Sequence, residues 1–107
     1  MAGFKKREEG FEAKFAHDEA LKFKALARRN KLLGRWAAEL MGMSAEAAET
    51  YAGEIIRADL AEPGDGDVFR KLRQDFDAKK VQISDHQIRR TMEEKLAEAV
   101  DQVSKES

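Results

Sequence analysis

The residues from Phe11 to Gly42 contain no proline and favour nearly continuous helix, and this stretch changes character halfway. Up to about His17, phenylalanines recur at helical spacing among mixed charges. Between Leu21 and Trp36 there are six basic residues and no acidic one. A helix whose apolar stripe is interrupted by charge is poorly suited to packing into a core along its whole length. We expect one part to build the fold and the other to bind a partner.

Length and composition exclude several classes of protein. A chain of 107 residues is large enough for one domain with a modest core and too small for two. Cysteine is absent, so we expect neither disulfides nor a cysteine metal cage. The first ten residues contain no apolar run, and no window approaches the roughly 18 apolar residues of a membrane-spanning helix. We therefore expect a soluble protein without a secretory signal and without direct membrane insertion.

Charge is distributed unevenly along the chain, although the formal net charge is only −1. Residues 1–35 carry ten Lys and Arg against five Asp and Glu, a net charge of +5. Residues 36–107 carry the remaining ten against sixteen, a net charge of −6. Such asymmetry indicates an electrostatically directed contact. The alternative is that oppositely charged helices pack together within one bundle.

Composition and turn signals predict an all-α fold. Val, Ile and Thr total only ten residues, whereas residues that favour helix are abundant. The single proline, Pro63, lies in the one strong turn cluster. Amphipathic helices are expected near residues 18–41, 44–62, 67–78 and 84–103. We predict that residues 18–107 form a small four-helix bundle.

Local signals predict where the helices begin and end. Gly42 is suited to end the first helix, and Ser44 and Asp67 are suited to cap the second and third. Ser84 with Gln87 forms a capping box for the fourth. The polar tail, residues 104–107, is expected to be frayed.

The first helix has an apolar face at the spacing of a core stripe, made of Leu26, Leu33, Trp36, Ala37 and Leu40. We take Leu33, Trp36 and Leu40 as core residues. Gly34 lies within the same helix, where glycine costs about 1 kcal/mol relative to alanine. Its presence predicts close packing of a neighbouring helix.

Residues 1–17 are predicted to form a flexible arm. Phe4, Phe11 and Phe15 share one helical face, but charged residues interrupt that face further along the chain. Burying three Phe side chains contributes roughly 5–9 kcal/mol, whereas ordering about 17 residues costs on the order of 1 kcal/mol each. A disordered segment with aromatic anchors at helical spacing is typical of helix-in-groove binding. The alternative is that the arm folds back and caps the bundle.

The sequence contains no pattern typical of a catalytic or metal site. The two histidines, His17 and His86, are far apart and lack metal-ligand spacing. No glycine-rich phosphate loop is present, and Ser44 and Ser84 are better explained as helix caps than as nucleophiles. We expect neither an enzyme nor a bound metal or cofactor.

The basic run of the first helix is a second candidate site. Arg28, Arg29 and Lys31 could hold a phosphate-bearing ligand such as a nucleotide. The alternatives are a solvated face or salt bridges within the bundle. The acidic second half would repel a polyanion, so nucleic acid is not expected as a partner.

Three segments of the sequence resemble a known family, namely residues 11–18 (FEAKFAHD), 27–34 (ARRNKLLG) and 36–42 (WAAELMG). They look like the zeta subunit of α-proteobacterial F-type ATP synthases, a small four-helix protein that inhibits ATP hydrolysis by the catalytic head. The resemblance covers most of the chain and is densest over residues 11–42.

The resemblance implies a mechanism for the arm. The family's N-terminal segment orders as a helix at an α/β catalytic interface, reaches toward the rotor subunit and blocks rotation. Carried over here, that segment is approximately residues 1–18, with Phe11, Lys14 and Phe15 of the matched motif as partner-binding residues. Phe4 is added from its periodicity alone. The resemblance also implies a cytoplasmic protein, peripheral to the inner membrane through the ATP synthase.

Two other functions remain open at this point. One is a regulatory bundle that binds an adenine nucleotide through Arg28, Arg29 and Lys31. The other is an assembly factor that binds the ATP synthase without affecting hydrolysis.

Overall fold

The computed structural model describes residues 19–61 and 66–106, which form four helices joined by short connections. These are α1 (Glu19–Leu40), α2 (Ala45–Ala61), α3 (Gly66–Ala78) and α4 (Asp85–Glu106). Within those residues there is no strand, so the prediction of an all-α, four-helix fold is confirmed. The predicted flexible arm of residues 1–17 and the turn at Pro63 lie outside the described residues.

Three of the predicted helix ends are confirmed in atomic detail. Gly42 follows α1 with φ +73°, and the amide of Met43 donates to the Ala38 carbonyl at 2.9 Å, closing a Schellman motif. Ser44 Oγ accepts from the amide of Ala47 at 3.1 Å and caps α2. These contacts involve residues only a few positions apart, which is why the sequence alone reveals them.

The capping box of α4 forms as expected. The backbone amide of Gln87 donates to Ser84 Oγ at 3.1 Å, and the backbone amide of Ser84 donates to Gln87 Oε1 at 3.0 Å. Both hydrogen bonds satisfy backbone donors that the first turn of a helix leaves without a partner.

Two predicted ends are wrong. α3 begins at Gly66, so Asp67 lies in its first turn rather than capping it, and its carboxylate pairs with Arg70. The tail is helical through Glu106 rather than frayed from residue 104. Val103 is fully buried, and Glu106 accepts from Arg28 Nη2 at 2.9 Å. These contacts with α1 hold the last turn of α4 in place.

α1 is the central helix of the bundle, because it packs against both α2 and α4, while α3 packs against α2 and α4. The core contains a continuous cluster of fully buried side chains from all four helices: Leu33, Ile55, Val68, Leu72, Phe76 and Ile88. A smaller cluster joins Ala25 of α1 to Val103 of α4. Burial of these apolar surfaces is the main force holding the helices together.

A polar contact fixes α3 against α2. The hydroxyl of Tyr51 donates to Asp75 Oδ2 at 2.7 Å, and Lys71 Nζ lies 3.1 Å from both Asp75 Oδ2 and Glu54 Oε1. Burial, together with the hydrogen bond to Asp75, raises the pKa of Tyr51 far above its ordinary value. The phenol therefore stays protonated and remains a donor.

The close approach predicted at Gly34 is confirmed. A β-carbon built on Gly34 would lie 2.5 Å from the α-carbon of Ala52. The backbones of α1 and α2 are therefore in direct contact at this crossing, and only glycine fits there.

The predicted core stripe of α1 is only partly correct. Leu33 and Ala37 are fully buried, and Trp36 is half-buried with its ring 5.4 Å from that of Phe76 in an edge-to-face arrangement. Leu40 is 46% exposed, so its assignment to the core is wrong. It is the last residue of α1, and the chain turns away at Gly42 before another helix covers it.

Candidate functional site

The residues predicted to contact a partner, Phe4, Phe11, Lys14 and Phe15, lie outside the described residues. Their role therefore stays a prediction. The described part of the chain shows instead how the basic residues of α1, the second candidate site, are used.

Arg28 joins α1 to the end of α4. Its Nη1 donates to Gln102 Oε1 at 2.8 Å, and its Nη2 lies 2.8 Å from Glu106 Oε2. Lys24 adds a second, longer contact with Glu106 at 3.4 Å. The hydrogen bond from Arg28 holds the pKa of the Glu106 carboxyl below its usual value of 4.5. Arg28 is therefore already bonded to a carboxylate that a nucleotide phosphate would have to replace.

Arg29 is only 1% exposed and lies between α1 and α2. Its Nε donates to Asn30 Oδ1 at 2.7 Å, and Asn30 Nδ2 donates to Asp59 Oδ2 at 2.9 Å. Arg29 Nη2 lies 3.5 Å from Asp59 Oδ1, which closes the triad. This buried guanidinium links α1 to α2, so removing its carboxylate partner would leave a charge uncompensated in the interior, and it is not accessible to a ligand from solvent.

Sequence reasoning missed this buried triad, although a signal was present. Arg29 lies four residues before Leu33, and Asp59 lies four residues after Ile55, so each shares a helical face with a core residue. A basic residue on the buried face of one helix and an acidic residue on that of another indicate an ion pair between helices.

Lys31 and Arg35 lie along another side of α1, next to α2. Arg35 Nη2 forms an ion pair with Glu49 Oε1 at 2.8 Å, and its hydrogen bond is the main cause that lowers the pKa of Glu49. Lys31 contributes to the same lowering through its charge. It forms no ion pair with any residue in the ranges 19–61 and 66–106.

The three residues predicted to hold a nucleotide are therefore not gathered at one place. Arg28 bonds to α4, Arg29 lies in the interior against α2, and Lys31 is on the side of α1 near Glu49. The alternative that oppositely charged helices pair within the bundle describes most of the basic run. Nucleotide binding itself stays a prediction.

A cleft of about 410 Å³ lies at the C-terminal end of α1, between its last turns and the connection that precedes α4. Its apolar lining is provided by Trp36, Leu40, Val81 and Ile83. Arg28, Arg29 and Lys31 do not line it.

The part of the chain that the structure describes contains neither a candidate metal site nor a candidate membrane span. No three His, Cys, Asp or Glu side chains there are grouped to hold a metal ion. His86 is exposed in the first turn of α4, and His17 lies outside the described residues. None of the four described helices is both long and apolar enough to cross a membrane.

Comparison with known proteins identifies a matching family and a similar solved structure. The sequence profile of a family described as ATPase inhibitor subunit zeta matches residues 1–102. A structure determined by solution NMR superposes with a TM-score of 0.72 at 41% sequence identity, covering 82% of this chain and 100% of the other. No curated protein sequence matches the chain.

Proposed function

The chain belongs to the ATPase inhibitor subunit zeta family, and on this premise we propose that it inhibits ATP hydrolysis by the catalytic head of an F-type ATP synthase. It does so by binding and performs no catalysis of its own. The observation that carries the proposal is the extent of the family match, since residues 1–102 include the arm and all of the bundle except the last turn of α4.

The arm, residues 1–17, is the inhibitory part in this proposal. It forms a helix at a catalytic α/β interface, with Phe4, Phe11 and Phe15 as apolar anchors and Lys14 as a polar contact. Three phenylalanines on one helical face can fill pockets that an open interface offers. Ordering the segment costs conformational entropy, which the burial of these side chains offsets only when a partner supplies the other surface.

The bundle is the part that remains outside the head. Its core is closed by side chains of all four helices, and Arg28, Arg29 and Arg35 of α1 are paired with residues of α2 and α4. A compact domain at one end of an inserted helix limits how far that helix can enter. The arm then acts as a wedge that blocks rotation in the hydrolysis direction and is expelled by rotation during synthesis.

The first experiment measures ATP hydrolysis by the isolated catalytic head with the full chain and with residues 1–17 deleted. We expect the full chain to reduce the rate and the deletion to abolish the effect. The melting temperature of the deleted chain serves as the control, because the bundle should remain folded. An unchanged hydrolysis rate with both chains would contradict the proposal.

The second experiment tests the anchors one at a time. Phe11→Ala and Phe15→Ala should each raise the concentration needed for half-maximal inhibition about tenfold or more. Ala13→Ser is the matched control, since position 13 lies on the other side of the same helical segment. Binding is measured in parallel, because a chain that binds the head without slowing hydrolysis would be an assembly factor rather than an inhibitor.

A further inference from the structure

Two of the most exposed apolar side chains of the bundle lie at the same end of it. Phe23 is 61% exposed in the second turn of α1, and Leu60 is 62% exposed in the last turn of α2. Exposed apolar side chains are common singly, but neighbouring ones indicate a contact surface.

The ion pair between Arg35 of α1 and Glu49 of α2 shows that these two residues lie on the same side of the packed helices. From Arg35, a row of residues at i, i+4 spacing leads back along α1 through Lys31 and Ala27 to Phe23. The close contact of Gly34 with Ala52 and the pairing of Arg29 with Asp59 show that α1 and α2 are antiparallel.

A matching row therefore runs along α2 in the opposite direction. From Glu49 it passes through Gly53 and Ile56 to Leu60. Because the helices are antiparallel, Phe23 near the start of α1 and Leu60 near the end of α2 lie at the same end of the pair, and the two rows contain the small residues Ala27 and Gly53. A β-carbon on Gly53 would meet only the end of the Arg57 side chain, at 3.8 Å, so the space above it is open. We call this surface, made of Phe23, Ala27, Ile56 and Leu60, the seam.

Two basic residues lie at the edge of the seam. Lys31 continues the row of α1, and Arg57 is exposed beside Ile56. Neither forms an ion pair with a described residue, whereas Arg28, Arg29 and Arg35 all do. An apolar surface with two available cations at its edge is complementary to an apolar segment flanked by carboxylates.

The position of the arm connects the seam to the proposed function. Residues 1–18 lead directly into α1 at Glu19, and Phe23 follows one helical turn later, a rise of about 6 Å. Any protein surface that receives the arm is therefore brought close to the seam. Leu40 and the cleft beside Trp36 lie at the far end of the same helix.

We propose that the seam is a second docking surface, which binds an apolar, carboxylate-flanked segment of the catalytic head beside the site that receives the arm. This inference rests on the proposed function and names a further contact for it. A seam of this size provides a weak contact by itself. Linked to the arm, it acts at a high effective concentration, so its loss weakens the whole complex.

The test uses the full chain with Phe23→Ala and Leu60→Ala combined, and measures inhibition of the isolated catalytic head. We expect the half-inhibitory concentration to rise about tenfold or more. Leu40→Ala is the matched control, because it removes an exposed apolar side chain at the opposite end of α1 and should leave inhibition unchanged. Both variants alter exposed side chains, so an unchanged melting temperature will show that the bundle is intact.

The charge of the partner is tested with Lys31→Glu and Arg57→Glu combined. These variants should weaken inhibition and make it less dependent on ionic strength than that of the wild-type chain. If the seam variants inhibit as well as the wild-type chain, while deletion of residues 1–17 abolishes inhibition, the inference fails and the proposed function stands. If the wild-type chain neither binds nor inhibits the head, the proposed function fails and this inference with it.

Discussion

Gly34 of α1 and Ala52 of α2 lie so close that the α-carbon of Ala52 is 2.5 Å from where a β-carbon on Gly34 would be. Real β-carbons do not approach other atoms to this distance, so the contact requires glycine. It also sets the separation of α1 and α2, on which the Arg29–Asp59 and Arg35–Glu49 pairs depend.

Gly34→Ala is therefore expected to destabilise the bundle. Alanine improves helix propensity by about 1 kcal/mol, but it forces the two backbones apart, which costs roughly 1–3 kcal/mol or more. Thermal or urea unfolding of the variant will measure the difference. Gly53→Ala is the matched control in α2, where the added carbon meets only Arg57 Nη1 at 3.8 Å and the propensity gain should appear as added stability. A stabilised Gly34→Ala variant would contradict the close approach.

Lys80→Gly should stabilise the protein by about 0.5–1 kcal/mol. Lys80 follows the end of α3 with φ 59°, and the backbone amide of Val81 donates to the Phe76 carbonyl at 2.8 Å, as in the Schellman motif after α1. A residue with a β-carbon is strained in this left-handed backbone conformation, which glycine adopts freely. Denaturant unfolding will measure the gain.

Gly42→Ala provides the reciprocal measurement, because Gly42 occupies the same position after α1 with φ +73°. It should lose about 1 kcal/mol. Equal stabilities of the Lys80→Gly variant and the wild-type chain would contradict the assignment of strain to Lys80.

Asp59→Ala should destabilise the bundle by about 3 kcal/mol, because it removes the carboxylate that accompanies the buried Arg29. Glu49→Ala is the matched control, since it removes the partner of another α1 arginine, Arg35, in an exposed pair. Its effect should be below about 1 kcal/mol. Unfolding in urea measures the stability of both variants. Similar losses of stability in the two would show that burial of Arg29 does not increase the cost of removing its carboxylate partner.

The Glu106 carboxyl should make stability depend on pH. Its pKa is lowered below 4.5 by the hydrogen bond from Arg28, so the folded state favours the ionised form. The resulting stabilisation is present above the unfolded pKa and is lost as pH falls through the lower folded pKa. Between pH 7 and pH 3 the wild-type melting temperature should thus fall more than that of Glu106→Gln.

An NMR titration of Glu106 in the Arg28→Gln variant provides the check on the cause. Its pKa should move back toward 4.5, because the main contact that lowers it is gone. A pKa that stays low without Arg28 would show that another group is responsible.

Helix ends were predictable where the signal lies within a few residues. Gly42 after α1, Ser44 before α2 and the Ser84–Gln87 box before α4 each satisfy backbone groups of their own helix. The family also followed from sequence, since the segments that carry the resemblance lie within the matched residues 1–102. The end of α4 was not predictable in this way, because Glu106 is held by Arg28, 78 residues earlier in the chain.

The partners of the basic residues were also not predicted, although helical spacing places Arg29 on the same face as Leu33. Arg28, Arg29 and Lys31 are close in sequence and looked like one phosphate-binding group. On a helix they point in different directions, so each residue has a different neighbour: α4 for Arg28 and the buried Asp59 for Arg29. Leu40 was assigned to the core for a related reason, since periodicity gives a residue's face but not whether another helix covers it.

The sequence by itself determined that the described chain is helical, where most helices begin and end, and that a small residue at Gly34 permits a close crossing. Those properties depend on backbone hydrogen bonds and on side chains within one turn. Only the tertiary structure decided that Arg29 is buried, that the last turn of α4 is ordered and that Phe23 and Leu60 remain exposed together. Those outcomes depend on which helix lies opposite, because burial and ion pairing are properties of two surfaces in contact.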